Sequence, residues 1–327
     1  MKQILLIATG GTIASQNTEQ GLTPQLSASA LLQYVPSVQT LCNITCIQPF
    51  LLDSTDITPS NWLELALCIE QHYNSYDGFV ITHGTDTLGF TAAALSYLIQ
   101  GAAKPIVLTG AQRPIDAEHS DAPKNLGDAI LYAANGMGGV SVVFCGRVIA
   151  GTRAGKMYTK RDMAFESIHF PYLAEIADGQ IRNAFLKKAE KPDAPVFYHA
   201  LNPRVGVLQC TPGMPKEILL SAAAHCDALV LEGYGLGGVP AVLQETLTKI
   251  TSGGTVVAIG TAVPFEGTDM SVYKVGRTAK ANCNLLELRS MTTESAVTKL
   301  MWILAQTKEP EEVRRLFEAD GSTTENA

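Results

Sequence analysis

The sequence predicts a two-domain α/β protein with mostly parallel sheets and flanking helices, and three observations lead there. Short apolar runs alternate with segments of helical period along nearly the whole chain. The runs are continuous rather than alternating, as strands covered on both faces require. At 327 residues and 46% hydrophobic content, the chain exceeds what one core comfortably organises, so two domains are expected.

The strands are expected at ILLI (4–7), GFVIT (78–82), PIVLT (105–109), GVSVVF (139–144), VGVLQC (205–210), ALVLE (228–232) and TVVAI (255–259). A helix is expected over 60–74, where Trp62, Leu65, Ala66, Ile69 and Tyr73 share one face and Thr58 and Pro59 supply cap and first turn. Another is expected over 293–306, with Val297, Leu300, Met301 and Leu304 as its stripe. This alternation describes a larger Rossmann- or flavodoxin-like domain over 1–185 and a smaller α/β domain over 205–327. Between them, 186–204 is rich in charge and proline, lacks either period and reads as a linker. The terminal GSTTENA is expected to fray.

Composition removes several classes of function. With 24 Lys and Arg against 31 Asp and Glu, the formal charge is -7, and no basic run tracks phosphates, so nucleic acid is not an expected partner. Seven scattered cysteines, Cys42, Cys46, Cys68, Cys145, Cys210, Cys226 and Cys283, form neither a CxxC pair nor a zinc-spaced set with histidine. Reduced thiols and no metal site are the reading. The N-terminal apolar stretch falls short of the roughly 7 to 15 residues of a signal-peptide core, and no run approaches the ~20 residues of a membrane span. A cytoplasmic protein away from membranes is expected.

Open parallel sheets bind ligands at the carboxyl ends of their strands. In the first domain those ends read Gly10-Gly11-Thr12, then Asp53-Ser54-Thr55-Asp56 after CIQPFLL, His83-Gly84-Thr85-Asp86-Thr87, and Gly110-Ala111-Gln112-Arg113. Paired glycines let the backbone turn sharply and let another molecule approach it closely. Taken alone, each loop is more readily a turn or a helix cap than a site. Four polar loops in one domain point to a site.

Two nucleotide-like motifs fail on inspection. Gly233, Gly235 and Gly238 fit G-x-G-x-x-G after a strand, but the next strand ends in Gly260-Thr261-Ala262 with no acid for a ribose hydroxyl. Gly155-Lys156 resembles the end of a phosphate-binding loop, yet Met157 replaces the Ser or Thr that would hold magnesium and Ala150 stands where the first glycine belongs. No cofactor is therefore expected.

The loops suggest hydroxyl chemistry instead. A threonine alcohol must lose its proton to a placed base as it attacks. Among six histidines only His83 lies in these loops, and beside Gly84 it is as readily a structural residue. A lysine can serve, with one hydroxyl relaying the proton of another. Thr85, Asp86 and Lys156 form such a set if the 151–160 loop folds over the strand ends.

TGGTIA (9–14), DSTDITP (53–59), DGFVITHGTDT (77–87) and the Arg153-Ala154-Gly155-Lys156 loop, in this order and spacing, resemble the bacterial-type L-asparaginase family. The likeness covers nearly the whole chain, and MSVYKVGR (270–277) and TESAVTKLMWILAQ (293–306) resemble its cytoplasmic type I branch. The resemblance implies hydrolysis of L-asparagine to L-aspartate and ammonia through a threonine acyl-enzyme, without metal or cofactor and with slow L-glutamine hydrolysis. It implies a homodimer or homotetramer whose sites are completed across a subunit interface.

By the same resemblance Thr12 is the nucleophile and Thr85 the second essential threonine, with Asp86 and Lys156 completing a Thr-Lys-Asp set. Ser54 would grip the substrate α-carboxylate and Asp86 its α-ammonium, while Thr55 stands where many members carry Gln or Ser. These roles suit an amino acid amide, whose fixed cation and anion on one carbon need a carboxylate and a nest of donors side by side. Backbone N–H groups at Gly11-Thr12 and near Ala111 are candidates for an oxyanion hole.

The sequence departs from the family pattern in two places. Where many members carry a tyrosine in the loop after the nucleophile, this chain reads Gly21-Leu22-Thr23-Pro24, and leucine moves no proton. Either the Thr85–Lys156 relay does that work or a tyrosine such as Tyr158 reaches in; the relay is preferred. A regulatory asparagine site of some type I members uses an arginine and a cysteine, replaced here by Glu232 and Val263, so substrate activation is not expected. Two rival readings are an ammonia-releasing amidotransferase subunit serving a tRNA-linked partner and an amino acid binding protein without catalysis. The absence of an added N-terminal domain or basic patch speaks against the first.

Overall fold

The computed structural model describes residues 1–19, 21–183 and 194–319. Residues to His199 form one compact unit and those from Ala200 a second. The expected linker over 186–204 falls partly, and the expected frayed tail entirely, outside the described residues. Within the described part of that linker, Val196–Phe197 pairs antiparallel with Ile99–Gln100.

The first unit is organised by an eight-stranded sheet. Its order is Gln180–Asn183, Ala174–Ala177, Arg147–Ala150, Gly139–Phe144, Pro105–Thr109, Gly78–Thr82, Lys2–Ala8, Cys42–Ile47. The last five of these are parallel, and the first three form an antiparallel extension. Gly78–Thr82 and Pro105–Thr109 are buried at every position, which explains their unbroken apolar runs. The helices Leu88–Leu98 and Ala122–Asn135 pack on these strands, and Pro59–His72 packs on the former. Ile4, Leu6, Val80, Val107, Leu126 and Ile130 join strands and helix in one core.

The parallel strands follow the doubly wound order in which the second strand lies on one side of the first and the third on the other. The chain reverses its progress across the sheet between Lys2–Ala8 and Gly78–Thr82, which opens a crevice at their carboxyl ends. Gly10-Gly11-Thr12 and His83-Gly84-Thr85-Asp86 leave the sheet at that point.

Two local expectations need correction, and one element was not expected. The helix expected over 60–74 spans Pro59–His72, with Asn61 Oδ1 accepting from the Thr58 backbone N–H at 3.0 Å. CIQPFLL does not run as a strand to Asp53: Cys42–Ile47 ends before Pro49, which has no N–H for a ladder, and Leu52 makes only an isolated bridge to Gly10. Gln16 and Thr23 pair in an antiparallel hairpin, Ser15–Thr18 with Gly21–Pro24, that the sequence did not announce.

The second unit carries a parallel four-stranded sheet in chain order, Val205–Gln209, Ala228–Gly233, Val256–Thr261, Leu286–Glu287. Helices Lys216–His225, Ala241–Ser252, Lys274–Asn282 and Thr293–Gln306 belong to it. Thr292 caps the last of these, accepting from the Ser295 N–H at 3.1 Å, and every residue from Ser295 to Leu304 is buried, well beyond the predicted stripe. Among the described residues no helix is long and apolar enough to cross a membrane.

Candidate active site

The two loops at the crevice touch backbone to backbone. Gly11 has φ 74°, and a Cβ placed on it would lie 2.3 Å from the Gly84 N and Cα, so only glycine admits this approach. The Gly11 N–H donates to the Leu52 carbonyl at 2.9 Å, which fixes the turn. Thr12 then opens the short 3-10 turn Thr12–Ala14 and is half-buried, one residue beyond the contact.

Lys156 arrives from far along the chain. Ala154–Lys156 pairs antiparallel with Phe165–Ser167, and this excursion carries the Lys156 ammonium to Thr85 Oγ1 at 2.8 Å and Asp86 Oδ1 at 2.6 Å. The Asp86 side chain is 59% exposed and that of Lys156 17%, so the pair adds little stability and is better understood as placement. Thr85 is buried and also donates to Gln112 Oε1 at 3.3 Å.

Ser54 lies under the same loop: a Cβ on Gly84 would come within 2.5 Å of Ser54 Oγ. Ser54 is buried, and its carbonyl accepts from Thr87 Oγ1 at 2.7 Å. Thr55 is exposed and donates both its N–H and its hydroxyl to Asp53 Oδ1, at 2.9 and 2.8 Å. Ala111 is buried and follows Gly110, whose absent Cβ would sit 3.5 Å from Thr85 Cγ2. Thr12, Ser54, Thr85, Asp86, Ala111 and Lys156 thus come from loops and strands that meet around Gly84 and Thr85.

His83 is structural. Fully buried, it faces the Gly84 carbonyl with Nδ1 at 2.7 Å and Thr91 Oγ1 with Nε2 at 2.9 Å. Burial lowers its pKa to about 4, leaving a neutral ring with both nitrogens engaged. Neither nitrogen is available as a base.

The sequence reading missed the support behind Gly110–Arg113. Asp121 accepts from the N–H groups of Gln112 at 2.9 Å and Arg113 at 3.0 Å. Asn125 donates to the Gly110 carbonyl at 3.0 Å and accepts from the Cys145 N–H at 2.8 Å. Asp121 stands at the start of the helix Ala122–Asn135 but makes no capping bond there, its carboxylate turning back to the preceding loop, so cap preference gave no signal of this role.

Leu22 sits exposed in the early hairpin, and Tyr158 carries the Arg161 guanidinium 4.5 Å above its ring centroid. The Gly233-Gly235-Gly238 motif closes on itself, with Tyr234 and Gly238 exchanging backbone hydrogen bonds at 2.9 and 2.7 Å, so those amides do not present a phosphate cradle. Among the described residues no group of three or more His, Cys, Asp or Glu is placed to hold a metal ion.

Residues 3–188 match the family Asparaginase, N-terminal, and residues 204–317 match Glutaminase/Asparaginase C-terminal domain. The chain is 36% identical to the L-asparaginase of Thermococcus kodakarensis over 97% of both proteins. It is 32% identical to a glutamyl-tRNA(Gln) amidotransferase subunit from Pyrococcus horikoshii, over 97% of this chain and 75% of that protein. Among solved structures, the thermostable L-asparaginase from Thermococcus kodakarensis superposes with a TM-score of 0.93 at 36% identity, covering 98% of each chain. A probable cytoplasmic L-asparaginase from Campylobacter jejuni superposes at 0.83 with 26% identity, covering 97% of this chain and 99% of that one. With both of its units matched and a relative above 30% identity spanning nearly its full length, this chain belongs to the asparaginase family.

Proposed function

We propose that this protein is an L-asparaginase, hydrolysing the side-chain amide of L-asparagine with Thr12 as nucleophile. One observation carries the mechanism: the Lys156 ammonium bridges Thr85 Oγ1 and Asp86 Oδ1 on a loop whose Gly84 touches the Gly11 turn next to Thr12. In the acylation step Thr12 Oγ attacks the amide carbon while its proton passes to Thr85, which hands its own to neutral Lys156. Backbone N–H groups at Gly11-Thr12 and Ala111 receive the developing oxyanion, the kind of contact whose loss costs about 10²–10³ in rate. The relay returns that proton to the amide nitrogen as the tetrahedral adduct collapses, so nitrogen leaves as ammonia, and water then cleaves the Thr12 ester to give L-aspartate.

Ser54 and Asp86 hold the α-carboxylate and α-ammonium, with Thr55 at the rim, and no metal or cofactor enters the reaction. The threonines lie in the larger domain, 1–185, while 205–327 contributes to a homodimer or homotetramer interface. A cytoplasmic enzyme is the reading, supported by the name of the Campylobacter jejuni neighbour. Glutamine would react more slowly, since an extra methylene in a fitted pocket is worth only about 1–3 kcal/mol.

Ammonia release from asparagine is the test, with Thr12→Ala and Thr85→Ala beside the parent and mass spectrometry of the trapped reaction. An adduct on Thr12 and near-complete loss in both variants are expected. Full turnover by Thr12→Ala would end this account, as would an enzyme that acts on glutamine alone and only with a partner, the amidotransferase alternative. A parent that binds asparagine without turnover would leave the amino acid binding reading.

A further inference from the structure

We propose that Gln112 is a positioning residue that sets the direction of the Thr85 hydroxyl proton and couples that threonine to the 157–164 loop. This rests on the reading of Thr85 and Lys156 as a proton relay. Gln112 Nε2 donates to the Arg161 carbonyl at 3.1 Å, which fixes the amide with its oxygen towards Thr85 Oγ1, 3.3 Å away. A protonated amine only donates, so Thr85 accepts from Lys156 Nζ at 2.8 Å and its single proton is left for Gln112 Oε1.

The relay requires the opposite polarity. As the Thr12 O–H bond breaks, its proton goes to Thr85 Oγ1, and the Thr85 proton goes to Lys156 Nζ, which must be neutral to take it. Gln112 therefore favours the resting arrangement, lysine charged and hydroxyl turned away, and its acceptor must be relinquished as the relay engages. Arg113 ties the same two segments together, its Nη2 donating to Asp162 Oδ1 at 2.7 Å, so loop position and hydroxyl direction are linked. The other charged groups around this set are Asp86 on Lys156, Asp121 beneath the Gln112 N–H, and Arg161 over Tyr158.

Two substitutions test this through opposite signs. Gln112→Met removes the acceptor, so neutral Lys156 becomes easier to reach and the acid limb of the kcat/KM profile for asparagine moves to lower pH by about half to one unit. Gln112→Glu keeps an acceptor and adds negative charge near the ammonium, so the limb moves to higher pH. In Gln112→Met kcat should rise about 3- to 10-fold with KM nearly unchanged, because the resting state loses one neutral hydrogen bond that the engaged relay does not make. Both limbs unmoved, or both displaced the same way, would show that Gln112 only anchors the loop and would overturn the proposal. Should Gln112→Met fail to fold in thermal unfolding, Gln112→Ala takes its place as the neutral variant without an acceptor, with the same downward displacement expected and an unmoved limb overturning the proposal. A parent without asparaginase activity, or full turnover by Thr85→Ala, would instead defeat the catalytic reading, so the two failures are distinguishable.

Discussion

Replacing His83 by glutamine should remove a defined share of the acid sensitivity of the first unit. The imidazole is fully buried; Trp62 Nε1–H donates to Thr91 Oγ1 at 2.9 Å, so the Thr91 proton is free to be given to His83 Nε2, and Nδ1–H is given to the Gly84 carbonyl. Burial lowers the pKa from 6.5 to about 4. Above pH 6.5 the ring is neutral in both folded and unfolded chains and contributes no pH dependence. As pH falls from 6.5 towards 4, only the unfolded chain takes up the proton, so stability declines by up to ~1.4 kcal/mol per pH unit and levels off below the folded pKa. Over the full window the loss is about 3 kcal/mol, and by pH 4.5 most of it is already present. Urea unfolding at pH 7 and pH 4.5, followed by Trp62 fluorescence in a Trp302→Phe background, reads this unit directly, since the chain has two tryptophans. His83→Gln should lose about 2–3 kcal/mol less than the parent between those pH values. Parallel losses in parent and variant would refute the assignment of a neutral, buried ring.

Three further outcomes follow from the geometry. Lys156→Met should lower kcat by about 10²–10⁴ while changing unfolding free energy by less than about 1 kcal/mol, because the Asp86 partner stays 59% exposed; a large stability loss with retained turnover would make the lysine structural. Gly11→Ala forces a Cβ to within 2.3 Å of the Gly84 backbone at φ 74°, so urea unfolding should show a loss of about 1–3 kcal/mol and turnover should collapse. Unchanged activity would show that the two loops need not touch. Rate against asparagine concentration should be hyperbolic: Glu232 would repel a carboxylate, and its Oε1 already accepts from Thr293 Oγ1 at 2.7 Å. A sigmoidal curve would contradict that.

The legible parts of this molecule were those that local chemistry determines. Unbroken apolar runs mark Gly78–Thr82 and Pro105–Thr109 because both faces are covered, and strand-end glycines mark the loops because only glycine admits the approach of residue 84 to residue 11. The position of Lys156 was legible only as a condition. It depends on the chain turning back after Gly139–Phe144, through a two-residue connection in which Cys145 and Gly146 have φ 51° and 77°. Such a turn matches the twist of the strands it joins, but its usual mark is Asn-Gly or Asp-Gly, and a cysteine in the left-handed region gives no warning of it. Once that reversal is made, Arg147–Ala150 runs back along Gly139–Phe144, and the next segment, Ala154–Lys156, delivers an ammonium to a threonine 71 residues earlier in the chain. Asn125 shows how the site depends on the same reversal, for its amide holds the Gly110 carbonyl on one side and the Cys145 N–H on the other. The turn that brings the lysine and the loop that flanks Thr85 are thereby fixed to one side chain, a coupling that no periodicity in the sequence could display.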